Sequence, residues 1–445
     1  MAALCAAASD FWARQLGGPG RERAYGVAAD RGGAVYVAGR IEGEAALGSA
    51  RLASAGPDAL VTALDKHGQV VWAHAFGGPG EDEARAVAIL TEGDLFVTGS
   101  FSGTVDFDPG PGRTELVSGG ASDVFVLRLS PRGELVWARG LGSAQADQGL
   151  DIAVDARGVY IAGSFQGALQ AGPDRLESAG RNDGFLVALD PAGAPRWARR
   201  IGGPETDEAR SVALEPNGQV WIAGSFEGKA GFGPRGETAA LESAGKADAF
   251  VARLGADGAL LWSGRLGGKQ ADVAQAVAAN ASGAWVAGRF QRTADFDPGP
   301  ALTSLSSMAE TDAFVVRLAT TGHLRWVRQV GGARHDFATG IAPDRYGGVW
   351  VTGVSEAKSA AAGPDPEWDD DRSWLTLFDR DGERRGTRDM AAQDGIRTLD
   401  LTLDSAANPC VAGVFQGQAT VIVGSEIVRL PGAGKTDALV ARIVP

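Results

Sequence analysis

The chain has 445 residues, 65 of them glycine and 20 proline, with 44% hydrophobic residues and a formal net charge of -13. That apolar share supports a packed core and argues against disorder, while the acidic balance excludes a nucleic-acid surface, which needs clustered Lys and Arg against phosphates. With Cys5 and Cys410 as the only cysteines, no disulfide framework or zinc cluster can be built, and spacing leaves a single bridge between them open.

From the N-terminus, Met1 to Ser9 are mostly small and apolar, with neither a basic start nor a full hydrophobic segment. They read as an N-terminal extension over 1–9 and not as a signal peptide. No apolar stretch reaches the roughly 20 residues of a membrane span. Thereafter the chain repeats itself. A Trp-led strand and a glycine turn recur at Trp12, Trp72, Trp137, Trp197, Trp262 and Trp326, and a copy lacking the Trp starts at Gly386. Ten residues after each Trp stands an acid: Glu22, Asp82, Asp147, Asp207, Asp272 and Asp336, with Asp394 in the seventh copy. Two strands follow, the second ending in Gly39, Gly99, Gly163, Gly224, Gly288, Gly353 or Gly413. A third strand opens at Asp58, Asp123, Asp183, Asp248, Asp312 and Asp437, with Arg372 in the sixth copy; each internal one lies 14 residues before the next repeat start.

Four short strands of period-two patterning cannot bury their own faces, so the copies must stack, and four-stranded units arranged radially make a β-propeller. The expected fold is all-β: a single seven-bladed β-propeller of four-stranded blades over 10–445, with repeats starting near 12, 72, 137, 197, 262, 326 and 386. The chain opens in a fourth-type strand, Phe11 to Leu16, and ends in a third-type strand, Ala438 to Val444. The N-terminal strand is therefore expected to complete the last blade and close the ring. The repeated Trp is expected to pack between blades, and the aromatics Tyr36, Phe96, Tyr160, Trp221, Trp285 and Trp350 to fill the core, with Cys410 in the seventh place. Arg14, His74, Arg139, Arg199, Arg328 and Arg388, two residues after the Trp position, read as charges that blunt edge-to-edge pairing.

The run Trp-Ala-Arg, Gly-Gly, Asp, Val-Tyr-Val-Ala-Gly, Asp-Ala-Phe-Val and an Asp-x-x-Gly turn resembles the bacterial SBBP-type β-propeller repeat family, from about Asp10 to Pro445. The resemblance implies a protein secreted or held at the cell envelope; with no signal peptide in the chain as written, a cytoplasmic location stays open.

Seven carboxylates, Glu22, Asp82, Asp147, Asp207, Asp272, Asp336 and Asp394, are expected around one mouth of the channel. Each reads first as an acceptor fixing its own turn, with a calcium site as the competing reading. The connection from second to third strand spans 19 or 20 residues in three copies and 24 in the other four, so insertions gather on one face. Asp106 and Asp108 in copy two, and Asp295 and Asp297 in copy five, sit in Asp-Phe-Asp-Pro-Gly turns there. Copy six carries Trp368, Asp369, Asp370 and Asp371, an aromatic amid acids suited to a partner contact. The four histidines form no catalytic constellation and no Gly-x-Ser-x-Gly, His-Glu-x-x-His or phosphate loop occurs. The reading is a non-enzymatic binding or scaffolding propeller, monomeric and without a cofactor. Its long-loop face would take a protein or glycan partner in preference to a small-molecule substrate. The alternative is a metal-assisted hydrolase or lyase drawing on the ring of acids.

Overall fold

The second strands Leu95–Phe101, Gly158–Phe165, Val220–Phe226 and Pro409–Phe415 are buried at every position, which requires neighbours on both edges and both faces. In the computed structural model, which describes residues 11–90, 93–172, 174–233, 238–356, 371–423 and 426–444, those neighbours are other strands, and the described residues contain no helix. The strands pair antiparallel in groups of four, first to second to third to fourth in chain order. The groups, I to VII, begin with the first strands Arg23–Ala29, Glu83–Ile89, Gln148–Asp155, Glu208–Leu214, Val273–Asn280, His335–Pro343 and Ile396–Leu403. In group VII the fourth strand is Trp12–Leu16, paired antiparallel with Asp437–Arg442 so that Trp12 lies opposite Arg442 and Leu16 opposite Ala438. The first and last described strands thus share one sheet.

The core is divided into clusters shared between neighbouring groups. Trp221 and Val251 of group IV pack with Val286 and Phe314 of group V. In the same manner Leu16, Cys410 and Val440 of group VII pack with Val35, Val37 and Leu60 of group I.

Five of the six repeated Trp residues make a specific lock between groups, while Trp262 lies against Gly322 of the next group without the indole hydrogen bond. The Trp12 indole N–H donates to the Lys66 carbonyl at 3.0 Å, in the Asp65-x-x-Gly68 turn between third and fourth strands of group I. Trp72, Trp137, Trp197 and Trp326 donate in the same way to Pro131, Pro191, Ala256 and Arg380 in the next group. A Cβ on Gly68, where φ is +75°, would lie 2.6 Å from the Trp12 ring, so the turn must carry glycine for the indole to lie flat on it. The arginine two residues later completes the lock: Arg14, Arg139, Arg199 and Arg328 donate to the carbonyls of Gly68, Gly193, Gly258 and Gly382. These arginines bind the neighbouring group through charge-assisted hydrogen bonds, where the sequence reading gave them only edge protection. The missing seventh Trp has a physical reason as well. A Trp at Gly386 would face group VII, whose third strand, Asp437–Arg442, and fourth strand, Trp12–Leu16, are not consecutive in the chain, so no short turn joins them to receive an indole.

The long connections form hairpins, such as Thr104–Asp106 with Glu115–Val117 and Ala168–Ala171 with Asp174–Glu177, or extend the second and third strands, as in groups I and V. Several lean on the fourth strand of the preceding group: Phe232 opposite Ile201, Asp295 opposite Gly267 and Val421 opposite Met390.

Candidate functional site

Each first strand loses register against its second at one place, skipping Tyr25, Arg85, Leu150, Arg210, Gln275, Thr339 and Leu399 in turn. A β-bulge leaves one residue out of the ladder and re-aims its side chain. All seven bulged residues line one cavity of about 380 Å³, together with Arg23, Arg397, Asp151 and Asp400.

The mouth of this cavity is a web of opposite charges. The Arg85 guanidinium lies 4.3 Å from the Tyr25 ring centroid and 2.7 Å from Glu83. Arg40 donates to the same carboxylate at 2.9 Å, as does the Tyr25 hydroxyl at 3.2 Å. Burial raises the Glu83 carboxyl, but these partners outweigh it and hold the group below its ordinary value. Arg397 pairs with Asp371 at 2.7 Å and Glu356 at 2.9 Å, and Arg210 pairs with Glu208. Arg289 is lowered by burial and then by the nearby Arg210. Arg23, Arg85, Arg210 and Arg397 line the cavity together with Asp151 and Asp400, and Glu83, Glu208, Glu356 and Asp371 pair with arginines around it, so the site is rich in both charges.

Deeper in, Asp151 accepts the Val212 N–H and the Ser211 hydroxyl of the next group, each at 2.8 Å, and Asp400 of group VII accepts the Val27 N–H of group I at 2.8 Å. Ser211 in turn accepts the Val277 N–H at 3.1 Å. Burial pushes Asp151 up to about 6 and Asp400 up to about 7, with the Asp151 charge adding to the latter. Both retain some exposure to the cavity although protein surrounds them.

The acids singled out in the sequence stand elsewhere. Glu22, Asp82, Asp147, Asp207, Asp272 and Asp336 are buried in their own loops, and none lines the cavity. Each accepts the N–H four residues before it, from Gly18, Gly78, Ser143, Gly203, Gly268 and Gly332. Asp82, Asp147, Asp207 and Asp272 also accept an N–H from the end of the second strand. Burial raises Glu22 to about 8, Asp207 and Asp272 to about 7 and Asp147 to about 6. Each neighbours a third-strand acid, and the two carboxyl groups crowd over the glycine ending the fourth strand: a Cβ on Gly77 would lie 2.4 Å from Asp58 and 2.8 Å from Asp82. Among the described residues no group of three His, Cys, Asp or Glu side chains comes together to hold a metal ion. Asp394 is half-buried in the connection from group VI to VII. Asp106 and Asp295 hold their turns by accepting from Asp108 and Thr114, and from Asp297 and Thr303; Asp108 and Asp297 accept from Gly110 and Gly299. Between each pair of acids, Phe107 and Phe296 are fully buried. Asp371 is buried against Arg397, whereas Trp368, Asp369 and Asp370, like Cys5, lie outside the described residues.

The cavity residues were missed. They fall thirteen positions after each repeat start and range over Tyr, Arg, Leu, Gln and Thr, while the residue before each is small or a threonine, as at Ala24, Ala84, Gly149 and Thr398. That contrast was the available signal.

No protein family description matches the chain. It is similar to Regulatory protein FlaEY of Caulobacter vibrioides, 29% identical over 157 residues that make 33% of this chain and 16% of that protein. Uncharacterized WD repeat-containing protein L264 of Acanthamoeba polyphaga mimivirus is 25% identical over 154 residues, 32% of this chain and 11% of that one. The match thus spans less than a fifth of either relative. Similar solved structures include the Neurospora crassa Pan2 WD40 domain, at 10% identity and TM-score 0.42 over 81% of this chain and 90% of that one. The WD40 β-propeller domain of Doa1 gives 9% and 0.45 over 96% and 95%. Hydrazine synthase of Kuenenia stuttgartiensis gives 10% and 0.43 over 97% and 99%.

Proposed function

We propose that groups I to VII are the blades of one ring sealed by Trp12–Leu16. On this reading the chain is a non-enzymatic binding propeller of the cell envelope or extracellular space that docks a protein partner on its hairpin face. The observation that carries the reading is the convergence of seven bulged residues, one from each first strand, on a single cavity. The positions shared by all copies hold backbone and neighbouring groups; the position that varies faces the cavity. A surface specialised on a uniform frame is what binding requires. The arginines lining the cavity suit an acidic group, such as an Asp or Glu side chain of the partner, which would exchange with the carboxylates they pair with.

The test is affinity capture from envelope and soluble fractions with the intact chain and an Arg85→Ala/Arg210→Ala variant whose thermal midpoint is checked first. Proteins held by the intact chain and lost by the variant support the reading. The same set held by both, at equal yield, would remove the cavity from the function.

A further inference from the structure

Four third strands carry an arginine at one register, Arg128, Arg253, Arg317 and Arg442, on the side of the molecule opposite the hairpins. The first three lie over the aromatic of the second strand: Arg128 is 5.6 Å from the Phe96 centroid, Arg253 5.7 Å from Trp221 and Arg317 3.7 Å from Trp285. Three of the four meet a carboxylate from the first turn of their own group, Arg128 with Asp94 at 2.6 Å, Arg253 with Glu215 at 2.7 Å and Arg442 with Asp404 at 2.6 Å.

Arg317 has no such partner. The corresponding turn in group V is Asn280-Ala281-Ser282-Gly283, and the guanidinium donates to the Leu318 carbonyl at 3.1 Å and to the Ser282 hydroxyl, both uncharged. Arg317 is 8% exposed. Burial, and then the charge of Arg325, pulls it down to about 10. A buried charge without a counter-ion is costly, and the same scaffold supplies one in groups II, IV and VII. Beside Arg317 lies a cavity of about 420 Å³ lined also by Ser282, Arg325 and Arg380, with Asp381 the one acid, paired to Arg380 at 3.5 Å on the exposed rim.

We infer that this cavity between groups V and VI binds a tetrahedral oxyanion, a phosphate or a phosphate monoester, which supplies the counter-charge that the turn of group V lacks. Arg317 gives donors at the base and Arg325 and Arg380 close the rim, planar forks matched to phosphate oxygens, while the Ser282 hydroxyl accepts from Arg317 and donates to Asn280 Oδ1 at 2.7 Å.

Calorimetric titration at constant ionic strength tests it, with inorganic phosphate in one arm and O-phosphoserine in another. Saturable binding in either arm is expected; binding of phosphoserine tenfold tighter than phosphate identifies a monoester as the ligand, and the reverse identifies the free ion. Ser282→Asp places a carboxylate against Arg317 and should weaken binding at least tenfold while raising the thermal midpoint in phosphate-free buffer. Arg325→Ala, at an exposed position, should weaken binding about fivefold and leave that midpoint unchanged. No binding in either arm, or binding that both variants leave intact, overturns the inference.

Discussion

Replacing Asp58 by Asn tests the buried carboxyl pairs directly. Asp58 is 7% exposed, one of its oxygens has no hydrogen-bond partner, and it faces Asp82 across Gly77. Burial, and then the Asp82 charge, raises its carboxyl from 3.8 to about 6. Between those two values the folded protein binds more protons than the unfolded chain, so stability falls as pH rises through that window, and the cost is complete above about 6. A displacement of that size corresponds to about 3 kcal/mol. Asn keeps the shape, carries no charge and can donate to Asp82. The variant should therefore match the parent at pH 3.5, gain on it between pH 4 and 6, and exceed it by up to about 3 kcal/mol at pH 8. Urea denaturation of both proteins across that range is the assay. A variant that is less stable than the parent at pH 8, or whose advantage is the same at every pH, would refute the argument that these carboxyl groups repel and are held protonated by burial.

Truncating the Trp locks should cost about 3–5 kcal/mol each, and Trp12→Ala should cost as much as Trp197→Ala in denaturant titration. If Trp12→Ala were nearly neutral, the N-terminal strand would not be sealing a ring. Arg14→Ala removes two charge-assisted bonds to the Gly68 and His67 carbonyls and should cost about 1–3 kcal/mol, read as a shift in midpoint. Phe107→Ala leaves a hole among Phe76, Phe101 and Phe125 and should cost about 3–5 kcal/mol, against little change for Asp108→Ala, whose carboxylate serves only an exposed turn. Hydrogen exchange should be fastest where group VI meets group VII, the junction whose repeat position, Gly386, carries no Trp; uniform protection across all groups would contradict this.

The repeat was legible because the residues that make it are geometric. Trp12 and its copies, the Asp65-x-x-Gly68 turn beneath the indole, and the glycines crowded by carboxyl pairs recur because the same contact is made at each junction. The partners of those contacts were not legible. That Arg14 reaches a turn 54 residues away, rather than guarding an edge, depends on which groups become neighbours, and spacing along the chain does not encode it. The cavity was hidden for a different reason. Strict alternation along Glu83-Ala84-Arg85-Ala86-Val87 puts every side chain beyond the bulge on the wrong face, and within one copy no residue type marks where the phase shifts.

The departures from the repeat separate into two kinds. Gly386 in place of Trp faces a sheet whose third and fourth strands, Asp437–Arg442 and Trp12–Leu16, are paired but not consecutive in the chain, so no short turn lies there to receive an indole. Asn280 in place of an acid, and the varied series from Tyr25 to Leu399, follow from no such constraint. The frame would be better satisfied with a carboxylate beside Arg317, as it is beside Arg128, Arg253 and Arg442. Positions where a repeated solution is abandoned at a cost to the fold are where functional or strained sites are expected, and here they lie at two separate places, the cavity of the bulged residues and the Arg317 cavity on the opposite side.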